Sequence, residues 1–185
     1  MRTTIEEQVL AIKGLSVLAA DPEWSKVQEA FPRVARYMFT TLDGAVFSEL
    51  MIAPDAVIGA VYPEGPASLS IGFDLWDHPN PRGSVRYARE TRQWAMQGPI
   101  TLTRRSQDRP ALVFRYPVWA DEVPGMLTDG ERGSWTGSKW WEFEPPAYPG
   151  GPRTLFWGIA VALLWWDELS KDLLKYMALG SQDER

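Results

Sequence analysis

Apolar residues at Ile5, Val9, Ile12, Leu15 and Leu18 recur every three or four positions, which places one apolar stripe on a helix from about Thr4 to Ala20. Asp21-Pro22 is an N-cap and first-turn pair, and Trp24, Val27 and Phe31 continue a helical stripe up to Pro32. Proline has no amide hydrogen and crowds the preceding turn, so the pattern predicts a kink at Pro32 or a restart as a short helix through Met38 and Leu42. After Asp43-Gly44 the period shortens. Val46 to Ile52 and Ala56 to Tyr62 are β-prone runs, and Pro54-Asp55 between them predicts a hairpin.

Ser68 to Leu75 reads as a third extended or mixed stretch, and WDHPNPRG then opens a helix capped near Asn80 with Pro81 in its first turn. That helix should reach about Gln93, and Arg82, Arg86, Arg89, Glu90 and Arg92 turn most of it to water. Pro99 to Arg104 and Ala111 to Trp119 are two further strands. A final strand, Thr154 to Leu164, leads into a helix from about Asp167 to Met177. The stretch Ala120 to Arg153, rich in Pro, Gly and Trp, is too long for a plain connection and predicts a lid, a partner-binding loop or an insertion. This order of elements predicts an α+β fold, with a helical region over 1–43 and an antiparallel sheet flanked by helices over 44–185 as one structural unit.

With 185 residues, 45% of them hydrophobic, the chain fits one domain with a sizeable core. The net charge is -5 and no basic run is present, which argues against nucleic acid as a partner. There is no cysteine and a single histidine, His78, so disulfides, thiolate chemistry and Cys- or His-rich metal sites are excluded. The run Thr154 to Trp166 is shorter than the roughly 20 residues that cross a bilayer as a helix. The start MRTTIEEQVL shows no targeting signal, and the chain as written reads as soluble. No GxSxG, GxxxxGK[ST], GxGxxG, HExxH or DxDxDG pattern occurs, so neither an enzyme nor a cofactor is expected.

Three groups of residues invite a functional reading beside a structural one. The ten tryptophans, with Trp140-Trp141 and Trp165-Trp166 adjacent, suit either stacking platforms or core packing. Strand alternation allows Trp165 and Trp166 no common pocket. Asp74, between Phe73 and Leu75, is either a turn carboxylate or an acceptor at a pocket edge, since a carboxylate there needs hydrogen bonds or water. Asp74, Asp77 and His78 together suit acid/base chemistry or simply a surface turn, and Pro79 favours the turn.

The pieces MIAPDAVIGAVYP, IGFDLWDHPNPRGSVRYARET, GPITLTR, FRYPVW and FWGIAVALLWWDELSKDLL, in that order from Ser48 to Leu173, resemble the CHASE domain. That family is the extracytoplasmic sensor module of receptors such as plant cytokinin receptors, bacterial histidine kinases and diguanylate cyclases. The resemblance implies a long N-terminal helix leading into a PAS-like sheet of about five strands. It also implies a binding pocket in which the Asp74 carboxylate and a backbone group of Met96 hold a small-molecule ligand. Thr101 and Thr103, on the strand beginning at Gly98, and Tyr116 and Gly158, on neighbouring strands, would line it. The sequence departs from the family in a longer turn from Arg104 to Pro110, a larger 120–153 insertion and the Trp165-Trp166 pair. Met96 with Trp76 and Trp94 suggests a pocket unlike one for an isopentenyl adenine.

The expectation is a non-catalytic sensor on the periplasmic or extracellular face, with a membrane helix before residue 1, another segment after residue 185 and a kinase or cyclase module inside the cell. Contact with the membrane would come only through those further segments. The apolar stripe of the first helix predicts a parallel homodimer, because that face needs a cover. Two rivals are a protein-interaction module using the Trp-rich 120–153 loop and a small hydrolase built on Asp74, Asp77 and His78.

Overall fold

Alternating apolar side chains of short runs meet in one five-stranded antiparallel sheet. The computed structural model describes residues 12–16, 24–41, 47–102, 109–120, 155–167 and 170–171. Helix α1 (Trp24–Thr41) leads to β1 (Phe47–Pro54) and β2 (Ala60–Tyr62), and a short 3-10 turn (Pro66–Ser70) precedes helix α2 (Pro79–Thr91). Strands β3 (Ala95–Thr101), β4 (Pro110–Ala120) and β5 (Leu155–Trp165) follow, and the sheet order is β2-β1-β5-β4-β3. The most continuously apolar run is β5, and it lies between β1 and β4, where both of its faces are covered. This is the α+β architecture with a PAS-like sheet that the sequence predicts.

Register sorts the side chains onto two faces. Phe114 lies opposite Ala162, and Leu112 opposite Leu164, on the face that packs against Val27, Phe31 and Ala35 of α1. Val113 opposite Leu163 and Met51 opposite Val161 fall on the other face, which packs against Val85 and Ala88 of α2. Ile12 and Leu15 are buried in the α1-side core. The predicted homodimer rests on a stripe with no cover, and at these two positions the domain's own core covers it. Ile5, Val9 and Leu18 lie outside the described residues.

Four local readings change. Helix α1 is continuous through Pro32, so the predicted restart there does not occur. Pro32 and Gln28, whose carbonyl loses its helical donor, are both on the exposed side, so water can satisfy that carbonyl. Ser68 to Leu75 is no strand: it ends the 3-10 turn and then touches the hairpin through a single bridge, Val57 to Asp74. Helix α2 starts earlier than predicted, with His78 as N-cap and Pro79 as first residue.

Strand β3 also starts earlier, at Ala95, and crosses Gly98-Pro99 by a register shift between Gln97 and Ile100. A proline is tolerated there because β3 is an edge strand. Gly98 has φ +137, and a Cβ on it would lie 2.5 Å from the Ala111 carbonyl oxygen, so only glycine fits the bulge. Just before β4, Arg109 donates to both carboxylate oxygens of Asp167, at 2.7 and 2.8 Å, and its guanidinium stacks 4.7 Å from the Trp165 ring centre. These hydrogen bonds hold the Asp167 carboxyl below the usual carboxylate range. Trp165 is buried and Trp166 exposed, as alternation requires. The 120–153 loop lies outside the described residues except for Ala120, as does the predicted C-terminal helix beyond 171.

Candidate functional site

The α2 face of the sheet does not close. Met51, Val113, Val161 and Leu163 form the floor of a cavity of about 90 Å³. One wall is Ile58, Phe73 and Leu75, held against the sheet because residues 71–75 hydrogen-bond back to the β1–β2 hairpin. The amide of Ile58 donates to the Phe73 carbonyl at 3.0 Å, that of Gly72 to Ile58 at 2.7 Å, and that of Leu75 to Ala56 at 3.0 Å. A second wall is the start of α2, with His78, Asn80 and Pro81. Ile100, Thr101 and Leu102 form the rim, and exposed Asn80 and Thr101 mark where it opens to solvent.

One cation enters this apolar setting. Arg115, in the middle of β4, is 4% exposed and lines the cavity. Its Nη1 donates to Ser84 Oγ at 2.8 Å and to Gln97 Oε1 at 2.9 Å, while its Nε is buried without a partner. Ser84 Oγ in turn donates to the Pro81 carbonyl at 2.8 Å, and Gln97 Nε2 to the Asn80 carbonyl at 2.7 Å, so neutral groups of α2 and β3 fix the guanidinium in place. Burial alone lowers the Arg115 pKa to about 10, with no carboxylate to raise it. At neutral pH the side chain is therefore a charged group in a largely apolar site. Periodicity shows an arginine interrupting an otherwise apolar strand but does not show that it turns inward, which only the folded register decides.

The expected pocket residues fall in different places. Thr101 is on the cavity rim. Asp74 sits between the cavity residues Phe73 and Leu75 but is not itself in the wall. Its Oδ1 accepts the Trp76 amide at 2.7 Å and the Asp77 amide at 3.3 Å, an Asx turn, and its Oδ2 is buried with no hydrogen bond. Met96 is on the outer strand opposite Phe114, 48% exposed, and lines an open groove with Tyr87 and Trp94. Tyr116 pairs with Ala160 and packs on the α1 face, away from the cavity.

Gly158 lies where β5 passes the end of β1: a Cβ there would be 2.2 Å from the Ala53 carbonyl oxygen. It serves close approach of strands. Thr103 lies outside the described residues. His78 stacks against Phe73, with ring centres 5.0 Å apart, and its Nδ1 is buried without a hydrogen bond. The carboxylate of Asp74 is thus turned to its own backbone rather than to His78. Among the described residues no cluster of side chains suits a metal ion.

A family model for the CHASE domain matches residues 29–182. The chain belongs to the CHASE domain family. It is thereby an extracellular sensor domain, and the cavity lies within the matched span. Among solved structures, the extracellular ligand binding receptor from Desulfohalobium retbaense DSM5692 is similar, with a TM-score of 0.54 and 12% identity. The match covers 91% of this chain and 23% of that receptor chain, and at this identity it concerns the fold alone. No curated protein matches the sequence. Among the described residues no helix is long and apolar enough to cross a membrane.

Proposed function

We propose that this CHASE domain binds a small molecule in the cavity on the α2 face, as the sensing part of a membrane receptor with a histidine kinase or diguanylate cyclase output. The observation that carries the reading is the cavity itself: a floor of sheet residues, a wall of hairpin-bound loop and an opening at Thr101 and Asn80. The solved receptor of similar fold is named for ligand binding, which agrees with this use. Family members are receptor modules, and the domain performs no chemistry on its ligand.

Transmission follows from strand alternation. Val113 and Arg115 face the cavity, while Leu112 and Phe114 between and beside them pack against the α1-side core. A ligand that shifts β4 therefore presses on the helices of the opposite face. It can bias the receptor only by binding two arrangements of the domain with different affinities.

A thermal-shift screen of small metabolites tests the reading, with Thr101→Trp as the blocked-mouth control. A ligand at a hundredfold excess over its Kd should stabilise the parent by about 2.7 kcal/mol. The same compound should have little effect on Thr101→Trp. A library that stabilises nothing, or hits that ignore the blocked mouth, contradicts the assignment of this cavity.

A further inference from the structure

A buried arginine normally faces a carboxylate, because desolvating a cation costs several kcal/mol unless a counter-charge compensates it. Arg115 is 4% exposed, both of its hydrogen bonds leave from Nη1 to neutral oxygens, and Nε has no partner. The guanidinium is held rigidly with part of its donor fork unused. Two parallel N–H groups of such a fork match the two oxygens of a carboxylate.

A second feature points the same way. The first turn of α2, a 13-residue helix, forms a wall of the same cavity through His78, Asn80 and Pro81. It has no side-chain N-cap hydrogen bond and no acidic residue in its first turn; the nearby carboxylates precede the cap, Asp77 exposed and Asp74 holding the Trp76 and Asp77 amides. Pro79 and Pro81 carry no amide hydrogen, and the Arg82 amide is already bonded to the His78 carbonyl, which leaves the Asn80 amide as the first-turn donor. His78 adds a buried, unpartnered Nδ1. The cavity is thus positive at the Arg115 end and apolar at Met51, Ile58, Val161 and Leu163.

We propose that the cavity takes a small monocarboxylate, its carboxylate on Arg115 beneath the first turn of α2 and its short apolar tail against Ile58, Val161 and Leu163. The inference rests on the small-molecule reading above and names the ligand class. Size narrows it further. A dry cavity of about 150 Å³ accommodates the six heavy atoms of benzene, so about 90 Å³ encloses an acid of two carbons and takes one of three or four only by extending into the open rim at Thr101. Fully hydrated anions are a poorer match, since the apolar floor offers no donors to replace their water.

Calorimetric titration and thermal shift of the full chain with acetate, propionate and butyrate, against acetamide, propionamide, butyramide and inorganic phosphate, decide it. The acids should bind, affinity should rise from acetate to butyrate, and each matched amide should bind at least tenfold more weakly. Arg115→Met should weaken the acids at least tenfold, and Arg115→Lys should recover part of the loss. The acid-against-amide comparison uses the unaltered protein, so it decides even where a variant fails to fold. Equal binding of acids and amides, phosphate binding as tightly as butyrate, or acids unaffected by Arg115→Met overturns the proposal. If neutral compounds stabilise the parent and lose their effect in Thr101→Trp, the small-molecule reading stands and the carboxylate falls. If no compound of any charge binds, both fall.

Discussion

On the α1 side of the sheet Phe31, Phe114 and Leu164 are buried almost completely, whereas the α2 side sets Arg115 beside an open volume of about 90 Å³. The same strands build both. In β4, Phe114 and Arg115 are neighbours in the chain and differ only in the face that strand alternation assigns them. One face maximises contact and fixes the fold, while the other gives up packing and desolvates a charge. A sheet can carry such a costly face because its other face supplies the stability, and strain of this kind concentrates at functional sites.

The largest effect should come from opening the filled face. Phe114→Ala removes a fully buried ring that also stacks 6.0 Å from Trp94, and should cost about 3–5 kcal/mol in denaturant unfolding. A loss under about 1 kcal/mol would mean that the α1 side is not the stabilising face.

Arg115→Met should act in the opposite direction. Burial depresses the Arg115 pKa to about 10, so holding the charge inside the fold is unfavourable by a few kcal/mol, on the order of the shift. Orphaning Ser84 and Gln97 returns part of that, so the ligand-free variant should gain about 1 kcal/mol. The sign with pH is fixed. A cation whose folded pKa is depressed destabilises fully below that pKa, and the penalty fades as pH rises from about 10 towards the ordinary arginine value. The gain of the variant over the parent should shrink across that window, as followed by chemical denaturation at a series of pH values. A variant less stable than the parent at neutral pH would show that the charge is compensated.

The smallest effect belongs to Asp74→Asn. With its Oδ1 bound to the amides of Trp76 and Asp77, Asp74→Ala should cost about 1 kcal/mol, and Asp74→Asn, which keeps the acceptor, only a few tenths. Acid binding should persist in both. Its loss in Asp74→Asn, with stability retained, would restore the role that the family resemblance implies for this side chain.

Much of the fold is legible in the residues because period and turn chemistry are local. The apolar run at 155–165 marks the central strand, Pro54-Asp55 marks the hairpin, and Pro81 marks the start of α2 to within two residues. The continuity of α1 through Pro32 is not legible, since it depends on the exposed side to which the Gln28 carbonyl turns. Neither is the start of β3, since the bulge at Gly98 depends on the approach of Ala111 from another strand.

The cavity is legible in part. Family likeness leads to Thr101 and to the segment around Asp74, both at or beside it. Arg115 escapes sequence reasoning because its partners Ser84 and Gln97 lie 31 and 18 residues away, and only the folded register shows that the strand turns it inward. An arginine alone among FRYPVW was the available signal, and its orientation was not.

The most direct measurement is a crystal structure of the domain grown with butyrate. The account predicts the carboxylate within hydrogen-bond distance of Arg115, near the Asn80 amide, and the alkyl tail between Ile58 and Leu163. Butyrate seated elsewhere, or its carboxylate turned out past Thr101 with the tail on Arg115, would contradict it.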